Sequence, residues 1–457
     1  MNVKNQNIRQ LPKFLLSDFA YKYEIENDIC LYHSLLIKKI FLKKEEYRKL
    51  KNFLKTGIVK DEELIKKLYN DGFLINRKED KAVYKKAQEL VKNWGLKTLF
   101  LVVTDKCNFK CKYCFENLEK YSKQKIMDKE TAKKAMKMFA QKTGKSDYPK
   151  TIFFYGGEPL LNFNVVKFAV EYANKLKKRG EIKEPCSLDI ITNGSLINKK
   201  VIELAKKYNI SFGVSLDGFE YTHNRMRVYD KNVGTFKDVV NGINLLRKNS
   251  IDHSILCTIG PHNIGKLDKI CEFFIRELGA KNINLTLPLC KIGRGYPFSK
   301  EIPVDYLLKQ IIKASKVIRK YGSYEGTYFK HLISFVEEEI FRGECDGMGC
   351  QIVVSPDGKI GPCLAFINEK NFFIKDDFSN FNIKNKQIFR KFAKGIALLM
   401  PECKKCPALG ICGGGCIYNR FVKGGKIGKQ DPYFCDFVKG LLKHFIIELD
   451  KEIIKDD

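Results

Sequence analysis

The sequence predicts an α/β protein built on a partial (β/α)6 barrel, with a small α+β module before it and a cysteine-rich region after it. Three observations carry that reading. From Leu96 to about Pro288, six apolar strand-length runs alternate with amphipathic helical stretches, a pattern that implies parallel strands joined by right-handed crossovers. Polar or glycine-rich turns follow the first four of those runs. Eleven of the sixteen cysteines fall in tight spacings, at 107–114, 345–363 and 403–435.

Composition narrows the class. The chain has 457 residues, enough for several domains, and 44% hydrophobic with 30% charged residues is ordinary for a soluble globular protein. No apolar run nears the ~18 residues a membrane span needs. The polar N-terminus lacks an apolar signal-peptide core, so the expected location is cytoplasmic. In that reducing compartment clustered cysteines hold metal more often than they form disulfides. The scattered Cys30, Cys186, Cys257, Cys271 and Cys290 read as core thiols. A formal charge of +30 suits an acidic peptide partner or nucleic acid, but the lysines are spread along the chain in no single patch.

Residues 1–95 form the first module. Phe19–Ile25 and Ile29–Tyr32 read as a hairpin around Glu26-Asn27-Asp28. Tyr47, Leu50, Phe53 and Leu54 have helical spacing, and Gly57 stops that helix. Asp61 caps a second helix to Leu68, ended by Gly72, and Phe73–Ile75 returns to a sheet. Lys81–Asn93 is a connecting helix. Such a module serves as a wing that grasps a peptide strand, or as a structural cap.

Residues 96–300 carry the barrel. Its strands lie within Leu96–Thr104 and at Thr151–Tyr155, Ser187–Thr192, Ser211–Leu216, Ser254–Ile259 and Asn282–Pro288. The intervening helices span Lys129–Lys142, Phe163–Lys178, Lys199–Tyr208, Thr235–Asn249 and Ile264–Leu278. Six units are too few for a closed eight-fold barrel, and functional loops in such folds follow the C-terminal strand ends. The motifs obey that rule. Cys107-x3-Cys111-x2-Cys114 follows the first strand, Gly156-Gly157-Glu158-Pro159 the second, Thr192-Asn193-Gly194 the third and Ser215-Leu216-Asp217-Gly218 the fourth. Three thiolates are one too few for a closed zinc site, and they leave one iron of a four-iron cube free to bind a reactive cofactor.

Residues 301–342, helical from Val304 to Phe341, link the barrel to residues 343–457. That last region holds Cys345, Cys350 and Cys363, then Cys403, Cys406, Cys412 and Cys416, and finally Cys435. Ser355–Lys359 reads as a hairpin turn, Ile388–Phe392 as a helix and Phe437–Ile454 as a C-terminal helix. Eight cysteines suit two fully ligated four-iron cubes, and by count alone they suit two zinc sites equally.

The open three-cysteine loop, the Gly-Gly-Glu-Pro turn and the eight-cysteine tail together resemble radical S-adenosylmethionine (SAM) enzymes with a C-terminal SPASM domain, over roughly Leu96–Phe437. The resemblance implies that Cys107, Cys111 and Cys114 hold a [4Fe–4S] cluster whose open iron binds SAM. It implies that Tyr113 packs near the adenine and that Gly156, Gly157 and Glu158 contact the methionine amino group. Ser215 and Asp217 stand where the family contacts the ribose or sulfonium region. His223 and Arg227 form a His-Asn-x-x-Arg arrangement similar to the family's His-Asp-x-x-Arg, with Asn224 in place of Asp and Arg227 meeting the SAM carboxylate. The resemblance also assigns Cys345, Cys350, Cys363 and Cys416 to one auxiliary [4Fe–4S] cluster, and Cys403, Cys406, Cys412 and Cys435 to another. It implies an electron donor such as flavodoxin or ferredoxin.

Within this family, SPASM enzymes modify peptides or proteins. Peptide maturases crosslink a ribosomally made precursor peptide through thioether or carbon–carbon bonds. Anaerobic sulfatase-maturing enzymes instead oxidise a Cys or Ser to formylglycine, and carry an Asp directly after the cysteine that here is Cys363. This chain reads Cys363-Leu364-Ala365, and it spends about 95 residues before its three-cysteine loop. Both departures favour the peptide maturase, with the first module engaging a leader that a basic surface would prefer acidic. A zinc-bound nucleic-acid-binding protein is the remaining reading; it explains the tail but neither the open loop nor the Gly-Gly-Glu-Pro turn.

Overall fold

The computed structural model describes residues 14–26, 28–76, 79–92, 95–114, 116, 125–143, 148–287, 302–369 and 371–456. The chain begins with β1 (Leu15–Leu16), β2 (Ala20–Glu24), β3 (Asp28–His33), β4 (Lys39–Lys43), α1 (Lys44–Thr56), α2 (Glu62–Asn70), β5 (Leu74–Ile75) and α3 (Glu79–Lys92). The expected hairpin is β2–β3, and β4 extends it to a three-stranded antiparallel sheet. Gly57 adopts φ 76° after α1 and its N–H caps Phe53 O, as a left-handed C-terminal residue should. Asp61 accepts from Leu64 N at the start of α2. Phe73–Ile75 returns to a strand in its last two residues, β5, which pairs antiparallel with β1.

Next come β6 (Thr98–Thr104), α4 (Lys129–Thr143), β7 (Lys150–Gly156), α5 (Phe163–Lys178), β8 (Cys186–Thr192), α6 (Lys199–Tyr208), β9 (Ile210–Ser215), α7 (Glu220–Asn224), α8 (Phe236–Lys248), β10 (His253–Thr258), α9 (Leu267–Arg276) and β11 (Asn282–Thr286). All six expected strands are present, parallel and paired in sequence order. β6 is almost continuously buried, as a strand covered on both faces must be. The helix expected over Ile264–Leu278 instead begins with a 3-10 turn, Ile264–Lys266, before α9.

The chain ends with α10 (Val304–Lys320), β12 (Tyr324–Glu325), α11 (Gly326–Glu337), β13 (Gln351–Val354), β14 (Ile360–Gly361), α12 (Gln387–Ala393), α13 (Ile417–Gly424) and α14 (Pro432–Asp456). Here two expectations are corrected. Val304–Phe341 is not one helix, nor is 301–342 only a helical linker. Gly322 turns at φ 66°, and β12 joins the main sheet beside β11. The tail is not separate from the barrel region either: β13 pairs parallel with β6, on the strand that leads into the three-cysteine loop. The main sheet therefore has nine strands in the order β12-β11-β10-β9-β8-β7-β6-β13-β14, and among the described residues no pairing closes its two ends.

The first module sits on the tail. Gly410 N donates to Ser34 O at 2.7 Å. Tyr84 Oη and Gln88 Nε2 both donate to Leu398 O, at 3.0 and 2.9 Å. A Cβ on Gly410 would meet Ser34 O and the Ile37 side chain at 2.6 Å, so only glycine permits this approach. Cys30, Cys186, Cys257 and Cys271 are buried, as core thiols should be, and Cys290 lies outside the described residues.

Candidate functional site

The pairing register slips between Val102 and Thr104, where β6 meets β7. An irregularity of this kind re-aims the strand end, and the three-cysteine loop begins there. Gly157 N donates to Thr104 O at 3.0 Å and Glu158 N to Lys106 O at 2.8 Å. Gly156 has φ 146°, and a Cβ on it would lie 2.1 Å from Thr104 O. A Cβ on Gly157 would lie 2.4 Å from Lys106 O. The two glycines are thus what lets the second turn press against the first. On the loop's other side Lys110 N and Lys112 N donate to Val228 O and Met226 O. Asn108 is held by Asn193 and Ser195 of the third turn, at 2.8 and 3.0 Å. The turns after β7 and β8 and the segment after α7 therefore fix the loop.

A cavity of ≈ 280 Å³ opens at these strand ends. Its wall includes Cys107, Cys111, Cys114, Tyr113, Gly156, Gly157, Ser215 and Arg227. Glu116, Tyr155, Thr258, Thr286 and Leu287 complete much of the remainder. Another cavity of the same volume, between β4, α10, α11 and α14, contains no thiol. Lining chemistry, rather than size, singles out the first.

Two expected contact residues stand behind the wall. Asp217 is fully buried. Its Oδ2 accepts from Tyr113 Oη and pairs with Arg227 Nε at 3.1 Å, while Oδ1 accepts from Thr258 N. Burial alone would raise this carboxyl, but Arg227 and His262 beside it hold it well below the usual range. Glu158 is also fully buried. It accepts from Leu160 N, Thr192 Oγ1 and Asn193 N at 3.0, 2.8 and 2.7 Å, joining the second turn to the third. Burial pushes its carboxyl up to about 7. Both acids are engaged by protein partners, and neither is among the residues that line the cavity. His223 is buried as well, its Nδ1 accepting from Asp217 N, and Asn224 Oδ1 accepts from Thr235 N and Phe236 N at the start of α8. Arg227 lies over the Tyr113 ring at 5.3 Å.

In the tail, Cys345, Cys363 and Cys416 act on one another electrostatically, and Cys345 acts on Cys350. Cys435 is coupled in the same way to Cys403 and Cys406, and Cys412 to Cys406 and Cys435. Cys416 thus acts on Cys345 and Cys363 although its sequence neighbours belong to the second group. Burial pushes the Cys345 and Cys350 thiols up to about 12 and Cys435 to about 11. Cys345 nevertheless has a large accessible area; its crowded surroundings decide its chemistry. Such thiols stay protonated at neutral pH until a cationic centre converts them to ligands. Among the described residues no three Cys, His, Asp or Glu side chains converge on a point suited to a single metal ion.

Sequence reasoning missed several groups. Thr258 and Thr286 end the fifth and sixth strands and Leu287 follows the sixth, and extending the strand-end rule to β10 and β11 would have found them. Arg342 and Gln430 donate to the sulfurs of Cys350 and Cys403 at 3.5 and 3.4 Å; no local pattern marks either.

The Radical SAM superfamily model matches residues 101–274. An uncharacterized protein of Methanocaldococcus jannaschii is 32% identical, the alignment covering 61% of this chain and 91% of that protein. The radical SAM cyclopropyl synthase TigE of Paramaledivibacter caminithermalis is 23% identical over 94% of this chain and 95% of its own. A cysteine-type anaerobic sulfatase-maturating enzyme of Clostridium novyi is 24% identical over 78% and 96%. In fold, the chain is similar to anSMEcpe with bound AdoMet, with a TM-score of 0.65, 21% identity and coverage of 78% and 98%. It is also similar to Streptococcus suis SuiB bound to S-adenosylmethionine, with a TM-score of 0.55, 17% identity and coverage of 92% and 99%.

Proposed function

This chain belongs to the radical SAM superfamily, and we propose that it is a peptide maturase that forms a thioether or other crosslink in a ribosomally made precursor. The observation that carries the proposal is the cavity that gathers the three loop thiols, the two close-packed glycines, Ser215 and Arg227. These residues fit a four-iron cluster with SAM. The thiols supply three soft ligands, and the glycine backbone admits a close polar contact. The cavity stands at the lower edge of the range for small-molecule sites, about 300–1,000 Å³.

In this reading Cys107, Cys111 and Cys114 hold the cluster, and Gly156 and Gly157 offer backbone to the methionine amino group. Tyr113 flanks the adenine, Ser215 faces the ribose, and Arg227 meets the carboxylate. Asp217 and Glu158 position those groups without touching the cofactor. Cys345, Cys350, Cys363 and Cys416 hold a second cluster, and Cys403, Cys406, Cys412 and Cys435 a third. When bound, the first cluster, reduced by a donor such as flavodoxin or ferredoxin, would supply with SAM a 5′-deoxyadenosyl radical, and the tail clusters would carry the second electron away from the substrate. The chain's own part is to orient SAM and keep out water. Phe109, Tyr155, Leu256 and Leu287 provide an apolar wall for that purpose.

Coverage supports the choice of substrate. The matched sulfatase-maturating relative spans 78% of this chain and the cyclopropyl synthase 94%. The share of this chain that the sulfatase-maturating relative leaves unmatched is close to the size of the first module, which we assign to leader binding, with the +30 charge favouring an acidic leader. Formylglycine formation is the second reading, favoured by that same sulfatase-maturating relative. Leu364, in a 3-10 turn directly after Cys363, offers no base where that chemistry uses Asp. Anaerobic reconstitution tests the core of the proposal. The protein should bind about twelve irons with matching sulfide and release 5′-deoxyadenosine from SAM and reductant. Release that persists after Cys107, Cys111 and Cys114 are all changed to Ala would refute the assignment.

A further inference from the structure

Arg420 is fully buried on α13, one turn after Cys416, whose carbonyl accepts from Arg420 N at 3.1 Å. One guanidinium nitrogen donates to Gly395 O at 3.0 Å and another to Met400 Sδ at 2.8 Å. Nε has no partner. Among the described residues no carboxylate forms an ion pair with this side chain. A buried charge without a counter-charge costs several kcal/mol, so a compensating anion is expected nearby.

The anchors indicate where it lies. Met400 O accepts from Cys403 N at 3.0 Å. A Cβ on Gly414 would lie 2.6 Å from Gly395 O, so the Gly413–Gly415 run between Cys412 and Cys416 presses against the segment that holds the guanidinium. A Cβ on Gly413 would lie 2.2 Å from Glu344 N, which places the other side of the same run beside Cys345. Arg420 thus stands where the two tail groups meet. Its backbone is bonded to Cys416, its Met400 anchor to Cys403, and the glycine run packed against it joins Cys412 to Cys416 beside Cys345. A cube with four thiolates is a net anion, and it gains a further negative charge on reduction. A fixed cation therefore favours the reduced form and raises the potential.

We propose that Arg420 is the shared counter-cation of both tail sites, and that its charge holds up the reduction potentials of the clusters seated there. The proposal rests on the two-cluster reading of the tail. It makes Arg420 a positioning and tuning residue, not a ligand.

The test uses the full chain with Cys107, Cys111 and Cys114 changed to Ala, so that only tail signals remain. Iron and sulfide are counted, and the signals are titrated against potential by electron paramagnetic resonance. Arg420→Met should lower the midpoint potentials of both tail signals at about eight irons per chain, and Arg420→Lys should restore most of the shift. Full iron with unmoved potentials, or a shift in one signal alone, overturns the proposal. If Arg420→Met loses iron while Arg420→Lys keeps it, the charge is required for assembly: the counter-cation role stands and the tuning role falls. If both lose iron, the shape of the arginine is what matters and the proposal falls. Absence of iron from the tail before Arg420 is touched defeats the two-cluster reading itself, and the proposal with it.

Discussion

The hydroxyl of Tyr113 donates to Oδ2 of Asp217 at 2.5 Å, across 104 residues of sequence. The same oxygen pairs with Arg227 Nε at 3.1 Å, and Arg227 lies over the Tyr113 ring. One buried carboxylate thus fixes two cavity-lining side chains from behind. Asp217→Asn keeps the shape but leaves Arg227 without its anion, and should destabilise the fold by about 3 kcal/mol. Arg227→Met in that background should recover part of the loss, because the two changes remove one interaction. Chemical unfolding of the four proteins checks it; strictly additive losses would argue against the coupling.

Gly157→Ala should separate the second turn from the three-cysteine loop, since its Cβ would sit 2.4 Å from Lys106 O. The expected result is a loss of about four irons per chain, with the tail clusters retained. Iron and sulfide analysis reads this directly, and an unchanged count would show that the close approach is dispensable.

Cys416→Ala should abolish the same spectroscopic signal as Cys363→Ala and spare the signal that depends on Cys403. The proposed ligand set joins Cys416 to Cys345 and Cys363, whose thiols it influences electrostatically, against its sequence neighbours. A Cys416 variant that resembles Cys412→Ala instead would reverse the grouping.

His33 supplies a pH dependence. It is buried in the first module, with Nδ1 accepting from Leu35 N and Leu36 N at 3.3 and 3.0 Å. Nε2 therefore carries the proton toward Ser17 Oγ, which donates to Asp80. Burial pulls the His33 pKa down from 6.5 to about 4. Because the folded value is depressed, its contribution is present above pH 6.5 and is lost as pH falls toward 4. The full effect is roughly 3 kcal/mol. The stability of wild type and His33→Gln compared across that window checks it; the variant should show a shallower decline.

Much of the architecture was legible because local pattern and tertiary environment agree. β6 is buried almost throughout and β7 and β8 alternate buried with more accessible positions, so their apolar patterns read as strands, and the expected turns sit at strand ends. What escaped depends on long-range pairing. β12 is a two-residue edge strand beside β11, and β13 is a four-residue strand between β6 and β14; no local period marks either. The sequence places Asp217 and Glu158 at the right strand ends, yet acids that face a cavity and acids that brace it from behind occupy the same motif positions. Only burial and hydrogen-bond partners separate them. Arg420 carries no sequence signal, because its meaning comes from four cysteines spread from 345 to 416.

The most direct test of the central claim is the mass of the product peptide. The reconstituted protein is incubated anaerobically with SAM, reductant and a short cysteine-rich peptide encoded beside its gene. The account predicts loss of two hydrogens for each crosslink, with 5′-deoxyadenosine released. An unchanged precursor peptide, together with conversion of a sulfatase-type peptide to its aldehyde, would contradict it.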